Sequence, residues 1–286
     1  MKPKIEKAGA IGFCFGVKRA IDILENVARE RGNVETLGAV VHNRQVLHRL
    51  AGIGVKVAGG IDEIQGDIVV LGAHGVSPRI EEELRARHLM IVNTTCPFVL
   101  RAQKVAQRLA RSGFVVVIYG DANHPEVKGI LGWANDMGIA TLDAGLLALR
   151  EPLPRRLGVL AQTTQIPHQF TEFARDIISS VLGKDSELRV IDTICHDIRR
   201  RQAAAIDLAG KVDLMLVIGD HTSSNTNRLA ELCSGTTTTH LIETAGEIEP
   251  GWVQDYGRIG ITGGASTAEQ TINEVLAKLE SLAGES

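Results

Sequence analysis

The chain of 286 residues carries a formal net charge of −3, with 44% hydrophobic and 23% charged residues, an ordinary composition for a soluble globular protein. The small negative charge argues against non-specific binding to nucleic acid, and no apolar run approaches the roughly 18 residues needed to cross a membrane. The first seven residues lack the apolar core of a signal peptide, so we expect a cytoplasmic protein with no nucleic-acid or membrane partner.

Three amphipathic helices are predicted, because apolar residues recur in each at intervals of three and four. In the first helix this apolar face contains Val17, Ile21, Leu24 and Ala28. A glycine follows each helix, as is typical of a helix C-terminus. The predicted helices cover residues 17–31, 99–111 and 198–209 and stop at Gly32, Gly113 and Gly210.

Apolar runs follow each helix and are predicted to form strands, and those at residues 114–120 and 214–219 are continuous and β-branched, as is typical of strands buried on both faces. The first run after each helix covers residues 34–38, 114–120 and 214–219, and a second covers residues 68–74, 157–163 and 259–266. Further strands are predicted at residues 89–92 and 188–191. Strands that alternate with helices indicate parallel α/β units. We therefore expect an α/β fold of three similar domains, residues 1–95, 96–193 and 194–286.

Three cysteines occupy the same place in this repeated pattern, since Cys14, Cys96 and Cys195 each precede one of the predicted helices. A glycine lies 24 residues after each cysteine, and a polar residue lies 28 residues after it. Ligands of parallel sheets gather beyond the carboxyl ends of the strands. A duplicated structural turn explains the glycines but leaves the cysteines unexplained, so a shared site is favoured. The polar residues expected at these strand ends are His42, His74, His124, Thr163, Ser223 and Ser266.

One cysteine from each domain is a set of ligands that suits three irons of a cubane cluster and leaves the fourth iron open. An open metal position acts as a Lewis acid on substrate oxygen. The same three thiolates also suit zinc, although structural zinc prefers four protein ligands in closely spaced pairs, so the spacing leaves both metals possible. Cys233 lies at apolar helical spacing and is predicted to be a small core residue.

Two further segments carry candidate chemistry. Glu126 follows the turn His124-Pro125 at a strand's carboxyl end, where it is a candidate proton donor; the alternative is an exposed loop carboxylate. Residues 222–228 (Thr-Ser-Ser-Asn-Thr-Asn-Arg) lie between a strand and a helix, where hydroxyls, amides and backbone N–H groups suit phosphate. An ordinary helix N-cap explains this second segment equally well.

Nine short motifs, in order along nearly the whole chain, resemble the 4-hydroxy-3-methylbut-2-enyl diphosphate reductase family. Several are short individually, but as an ordered set they are highly specific. The motifs are Gly12-Phe13-Cys14-Phe15-Gly16-Val17, Val41-His42-Asn43-Arg44, Ala73-His74-Gly75-Val76-Ser77, Thr95-Cys96-Pro97, His124-Pro125-Glu126-Val127, Gln162-Thr163-Thr164, Thr193-Ile194-Cys195, Ser223-Ser224-Asn225 and Gly264-Ala265-Ser266.

The resemblance implies a trefoil of three α/β domains around one oxygen-sensitive 4Fe–4S cluster per chain. It implies reductive removal of an allylic hydroxyl with two electrons and two protons, which yields isopentenyl and dimethylallyl diphosphates at the end of the non-mevalonate isoprenoid route. Ferredoxin or flavodoxin is the expected electron donor, and a monomer or weak homodimer is expected. By motif, the cluster ligands are Cys14, Cys96 and Cys195, the catalytic residues are Glu126, Thr163 and His124, and the diphosphate-binding residues are His42, His74, Ser223, Ser224, Asn225 and Ser266.

The chain departs from the family pattern near two of the cysteines. Phe15 replaces the usual small residue after the first cysteine, and Ile198 stands at the position of an expected threonine. Asn93-Thr94-Thr95 differs from the common Asp-Ala-Thr. These departures motivate a second hypothesis, a divergent paralogue that reduces or dehydrates another phosphorylated substrate. A third is a non-catalytic iron–sulfur redox sensor, which would need neither Glu126 nor Thr163.

Overall fold

The computed structural model describes residues 2–41, 43–148, 154–181 and 185–285 and contains three β-sheets, each of four parallel strands. The strands are β1 (Lys4–Lys7), β2 (Val34–Leu37), β3 (Val55–Ala58), β4 (Ile68–Leu71), β5 (Met90–Asn93), β6 (Val115–Tyr119), β7 (Ile139–Thr141), β8 (Arg156–Ala161), β9 (Glu187–Ile191), β10 (Leu214–Ile218), β11 (Thr238–Ile242) and β12 (Arg258–Gly263). The helices are α1 (Phe15–Arg31), α2 (Arg44–Ala51), α3 (Pro78–Ala86), α4 (Pro97–Arg111), α5 (Pro125–Trp133), α6 (Gly145–Ala148), α7 (Pro167–Val181), α8 (His196–Ala209), α9 (Ser224–Ser234), α10 (Pro250–Asp255) and α11 (Glu269–Glu285).

The three sheets share one strand order: β3-β2-β4-β5, β7-β6-β8-β9 and β11-β10-β12-β1. Every strand pair is parallel, so the predicted α/β fold class is confirmed. Strand β1 takes the last place in the third sheet, which β5 and β9 take in the other two. The strand before Cys96 therefore belongs to the first sheet, and the strand before Cys195 belongs to the second. The strand before Cys14, which is the first of the chain, completes the third sheet.

The chain divides into two compact units. One unit comprises Met1–Lys18, Val41–Leu50 and His196–Ser286 and contains the sheet β11-β10-β12-β1. The other comprises Arg19–Val40 and Ala51–Cys195 and contains the other two sheets. The boundaries of three domains at residues 95 and 193 stay a prediction. Within the described ranges, no helix combines the length and the apolar character needed to span a membrane.

Strand β10 shows why the central strands form from continuous apolar runs. Its five residues are all fully buried. Because side chains alternate along a strand, Leu214, Leu216 and Ile218 enter one hydrophobic cluster. Met215 and Val217 enter another. A strand with helices on both faces needs apolar residues at every position, and this is the pattern from which β6, β8 and β10 were predicted.

Two features of the secondary structure differ from the prediction. Each of α1, α4 and α8 begins two residues earlier than expected, at Phe15, Pro97 and His196, so each cysteine immediately precedes its helix. The prediction also lacks the strands β3, β7 and β11 at one edge of each sheet, β1 at the other edge of the third sheet, and helices such as α3 and α7. These edge strands carry exposed or half-buried residues such as Lys56 and Thr238, so they lack a continuous apolar run.

Gly75 lies in the turn that follows β4, and its substitution tests whether this turn requires a glycine. Its φ is +68°, and an added Cβ atom would lie 2.6 Å from Gln103 Nε2 and 2.8 Å from Thr95 Cγ2. We expect Gly75→Ala to lower the free energy of unfolding by more than about 1 kcal/mol, because an L-residue is strained at positive φ and both neighbours must move. Urea unfolding measures the change.

The matched control is Gly60→Ala. Gly60 has an extended φ of −155°, and no atom lies within 4 Å of its added Cβ. We expect its effect to stay within about 0.5 kcal/mol. Equal losses of stability in the two variants would contradict this account of the turn.

Candidate active site

The three cysteines are held by the same main-chain hydrogen bond. The backbone N–H of each cysteine donates to a carbonyl that lies two residues beyond the third strand of a sheet, after β4, β8 or β12. The three N···O distances are all 2.9 Å, for Cys14 to Ala265, Cys96 to Ala73 and Cys195 to Thr163. The regular spacing seen in the sequence therefore corresponds to one repeated local structure.

Each cysteine also lies at the N-terminus of a helix. The Cys14 Sγ atom accepts a hydrogen bond from the Val17 N–H at 3.4 Å, as a capping side chain does. The partial positive charge of a helix N-terminus stabilises a negative charge, and metal ligation by cysteine uses the thiolate. Cys14 and Cys96 are half-buried, and Cys195 is 9% exposed.

The donor chemistry of these cysteines fits an iron–sulfur cluster, which thiolates usually hold. Among the described residues, no group of three or more His, Cys, Asp or Glu side chains is gathered as ligands of a single metal ion. A cubane cluster does not require such a group, since each cysteine binds a different iron. The convergence of the three thiols on one cluster stays a prediction.

The turns that follow β4, β8 and β12 are equivalent and correct one comparison made from the sequence. Each turn has an N–H to carbonyl bond across three residues, at 3.0 Å in Gly72–Gly75, 3.2 Å in Gln162–Gln165 and 3.1 Å in Gly264–Thr267. The equivalent residues inside the turns are therefore His74, Thr164 and Ser266. Sequence analysis grouped Thr163 with His74 and Ser266, but in the repeat Thr163 corresponds to Ala73 and Ala265. Like these two alanines, it accepts the N–H of a cysteine.

Glu126 and Thr163 form a buried pair, with 3% and 4% of their surfaces exposed. The Thr163 N–H donates to Glu126 Oε1 at 2.7 Å, and the Thr163 hydroxyl donates to Oε2 at 2.9 Å. The alternative of an exposed loop carboxylate is wrong, because both carboxylate oxygens are held inside the protein. Thr163 also accepts the N–H of Cys195, so a single residue connects a predicted ligand with a predicted proton donor.

His124 caps α5, and its Nδ1 accepts the main-chain N–H of Glu126 at 3.1 Å. A ring nitrogen that accepts a hydrogen bond carries no proton, so the neutral imidazole holds its proton on Nε2. The half-buried His124 side chain therefore offers a donor at Nε2.

Asp121 and Asp220, which sequence analysis did not select, shape the turns after β6 and β10. Each aspartate carboxylate accepts the N–H two residues on, at 2.9 Å in Asn123 and 2.8 Å in Thr222. Each aspartate carbonyl accepts the N–H three residues on, at His124 or Ser223. The signal in the sequence was the Gly-Asp pair that closes both strands. Burial raises the pKa of Asp220, but bonds from Thr222 and the charge of Arg44 outweigh it and hold this pKa below its ordinary value of 3.8.

The N-terminus of α9 holds three of the predicted diphosphate-binding residues. Ser223 is the N-cap, and its Oγ accepts the Thr226 N–H at 3.4 Å. Ser224 is half-buried, and Asn225 is 7% exposed. The Nδ2 of Asn225 is buried and has no hydrogen-bond partner among the described residues, which is unusual for an amide donor. An unsatisfied donor beside a helix N-terminus suits an anion.

Ser266 lies in the same unit as α9 and is held by a residue that sequence analysis did not select. The Asn43 Nδ2 donates to the Ser266 carbonyl at 2.8 Å, and Asn43 Oδ1 accepts the Val46 N–H at 2.9 Å. Asn43 thus fixes the start of α2 against the turn after β12. His42, a predicted diphosphate ligand, lies outside the described residues.

The two departures from the family pattern have different surroundings. Phe15, the first residue of α1, has 59% of its surface exposed. Ile198 is 3% exposed and belongs to the buried face of α8. The Phe15 ring is thus directed largely to solvent, whereas the Ile198 side chain fills core volume.

The three sheets each anchor one cysteine at the turn after the third strand, and a buried Glu–Thr pair is bonded to the turn that anchors Cys195. These features define a class of α/β protein. The LytB protein family matches residues 5–280. The chain belongs to this family.

Full-length relatives agree with this assignment. The chain is 58% identical over 279 residues to a 4-hydroxy-3-methylbut-2-enyl diphosphate reductase of Dehalococcoides mccartyi, with 98% of both chains covered. It is 40% identical over 272 residues to the reductase of that name in Geobacter metallireducens, with 95% of both covered.

Two solved structures are also similar. A structure of (E)-4-hydroxy-3-methyl-but-2-enyl diphosphate reductase, described as the terminal enzyme of the non-mevalonate pathway, is 37% identical, with 98% of this chain and 99% of that chain covered and a TM-score of 0.70. The reductase of Plasmodium falciparum is 24% identical and supports the fold alone, with a TM-score of 0.90 over 97% of this chain and 88% of that chain.

Cys233 is fully buried in α9, so the prediction of a core residue is confirmed. Burial raises the pKa of its thiol to about 11 from an ordinary value of 9.0. The folded protein therefore retains this proton where the unfolded chain loses it. The resulting stability is fully present below pH 9 and is lost as the pH rises towards 11.

We expect the difference in unfolding free energy between the parent and Cys233→Ala to shrink between pH 8 and pH 10.5. Urea unfolding under reducing conditions measures it, and the other three cysteines cancel because both proteins contain them. A constant difference across this range would contradict the assignment.

Proposed function

We propose that the chain is a 4-hydroxy-3-methylbut-2-enyl diphosphate reductase. The observation that carries the proposal is the buried pair of Glu126 and Thr163, bonded to the main chain of a cysteine that the family motif assigns to a cluster. The names of the full-length relatives support the same reaction. A non-catalytic redox sensor would need neither Glu126 nor Thr163.

The reaction breaks one C–O bond and forms one C–H bond. The allylic hydroxyl leaves as water, two electrons and two protons are consumed, and the products are isopentenyl and dimethylallyl diphosphates. One proton joins the departing oxygen, and the other joins carbon. The electrons come from an external carrier, for which ferredoxin or flavodoxin is proposed, and we place the enzyme in the cytoplasm.

We propose that Cys14, Cys96 and Cys195 hold one 4Fe–4S cluster at the centre of a trefoil of three α/β domains. When bound, the cluster would pass on the carrier's electrons and provide an open iron as a Lewis acid for the substrate oxygen. The repeated N–H bond at each cysteine supports equivalent roles for the three residues.

Glu126 and Thr163 form a relay for the proton that leaves with the hydroxyl. In the structure the Thr163 hydroxyl donates to Glu126, so its own lone pairs are available to the substrate hydroxyl. When Glu126 is protonated, Thr163 accepts that proton and passes its own to the departing oxygen. Because both residues are buried, water does not compete for the transfer. The Nε2–H of His124 is the proposed hydrogen-bond donor near the same oxygen.

The diphosphate is bound largely by neutral groups. The proposed ligands on α9 are Ser223, Ser224 and Asn225, with Ser266 in the same unit and His42 and His74 by motif. A helix N-terminus attracts the anion, and hydrogen bonds to charged oxygens are stronger than bonds between neutral groups. The unpartnered Nδ2 of Asn225 supports its role, since a phosphate oxygen would satisfy it.

Glu126→Gln tests the relay. We expect the variant to keep roughly four irons per chain and to lose product formation by roughly 100-fold or more, because the amide cannot deliver a proton. Anaerobic reconstitution, an iron count and turnover with reduced methyl viologen measure both. Loss of the cluster, or turnover near that of the parent, would contradict the assignment.

The matched control is Glu35→Gln. Glu35 is also buried, and it accepts main-chain N–H bonds from Gln65 at 2.9 Å and from Gly66 at 2.7 Å. Neither donor is one of the proposed catalytic residues. We expect turnover near that of the parent. A parent protein that binds the cluster and does not reduce the hydroxylated diphosphate would refute the proposed function, and a zinc content in place of iron would refute the cofactor.

Asn225→Ala tests the diphosphate site. Loss of one hydrogen bond to a charged oxygen costs about 1.5–3 kcal/mol, so we expect the substrate Kd to rise by about 10- to 150-fold. Anaerobic calorimetry measures the Kd. The control is Asn227→Ala, because Asn227 is exposed and its amide already donates to the His221 carbonyl at 2.7 Å. Equal effects of the two changes would exclude a specific role for Asn225.

A further inference from the structure

Arg201 is a buried arginine on α8 whose charge has incomplete pairing. Only 2% of its side chain is exposed. Its Nη1 donates to the main-chain oxygens of Ala10 at 3.4 Å and Gly263 at 3.3 Å. Its Nη2 lies 3.6 Å from Asp197 Oδ2, and its Nε has no hydrogen-bond partner in the part of the chain that the structure describes. Burial of a cation is costly unless other charges offset it, so the position of Arg201 calls for an explanation.

The repeat makes Arg201 exceptional. It lies six residues after Cys195, and the residues six after Cys14 and Cys96 are Ala20 and Ala102. Both alanines are fully buried. A charged side chain therefore occupies a position where the other two helices carry a methyl group, which indicates a task that is specific to this part of the repeat.

Asp197 neutralises the guanidinium only in part. Its Oδ1 accepts a bond from Arg200 Nη2 at 2.8 Å, so one carboxylate is shared between two arginines. Burial lowers the pKa of Arg201, while Asp197 and then the Cys14 thiolate raise it. Arginine remains charged in proteins, and Cys14 becomes a thiolate when it binds a metal, so its negative charge is then available to this buried cation.

The contacts of Arg201 also surround the anchor of Cys14. Ala10 lies in the segment between β1 and α1 that leads to Cys14, and Gly263 is the last residue of β12. Two residues beyond Gly263, the carbonyl of Ala265 accepts the Cys14 N–H. One guanidinium thus holds both chain segments that determine where Cys14 lies.

We propose that Arg201 is a positioning residue for Cys14 that also supplies the buried positive charge opposite its thiolate, and that it thereby raises the reduction potential of the cluster. The cluster itself rests on the proposed function. Reduction adds negative charge to a cluster, so a nearby cation in a medium of low dielectric constant stabilises the reduced form. Asp197 acts in the opposite direction, because its negative charge destabilises that form.

The test is an anaerobic spectroelectrochemical titration of the reconstituted full-length protein without substrate. We expect Arg201→Gln to shift the potential to a lower value and Asp197→Asn to shift it to a higher value. Arg201→Lys keeps the charge and is expected to restore most of the parent potential. The control is Arg200→Gln, since Arg200 is on the same helix but 64% exposed, where solvent and salt screen its charge.

The proposal is supported if the potential shifts in opposite directions in Arg201→Gln and Asp197→Asn and changes little in Arg200→Gln. Structural disruption alone would not make the direction of the shift depend on the sign of the charge that is removed. Shifts in one direction for both buried sites, or an equal shift for Arg200→Gln, overturn the proposal. If Arg201→Gln does not fold, the potentials of Asp197→Asn and Arg201→Lys are compared with that of the parent. An unchanged or lowered potential for Asp197→Asn then overturns the proposal. The titration measures the reduction potential and not turnover. A protein that binds the cluster but lacks reductase activity in the separate turnover experiment therefore refutes the proposed function alone. A protein that takes up no cluster refutes both proposals.

Discussion

The structure depends on a main-chain hydrogen bond that is repeated at each of the three cysteines. Because the acceptor carbonyl lies two residues beyond a buried parallel strand, the backbone of each cysteine is fixed to a sheet independently of its side chain. In the second repeat the acceptor is Thr163, whose N–H and hydroxyl also bind Glu126. The same residue therefore fixes the backbone of a proposed ligand and the orientation of a proposed proton donor, so a shift of this turn changes both at once.

Equivalent positions in the repeat carry different residues, so the repeated frame is chemically asymmetric. Thirty residues after the three cysteines lie Arg44, Glu126 and Asn225, a cation, an acid and an amide. Arg44 lowers the pKa of Asp220, Glu126 accepts hydrogen bonds from Thr163, and the Nδ2 of Asn225 has no hydrogen-bond partner within the described ranges. The three residues thus share one spacing in the repeat but differ in charge and in hydrogen bonding.

The sequence predicted those parts of the structure that depend on local pattern. Continuous apolar runs identified strands such as β6 and β10, and the spacing of the cysteines identified the repeat. The pairing of β1 with β12 was not predictable in this way, because it joins the two ends of the chain and β1 is only the short run Lys-Ile-Glu-Lys. The burial of Glu126 likewise depends on a partner 37 residues away, which no local pattern reveals.

The register of a turn was the subtlest point that the sequence left open. Thr163 and Thr164 are adjacent and chemically identical, so composition cannot tell which of them corresponds to His74 and Ser266. The hydrogen bond from Gln165 to Gln162 settles the register in favour of Thr164. Thr163 binds Glu126 instead: its N–H donates to one carboxylate oxygen and its hydroxyl donates to the other. A repeated turn thus supplies the position, and the two bonds of one threonine to one carboxylate give that position its chemistry.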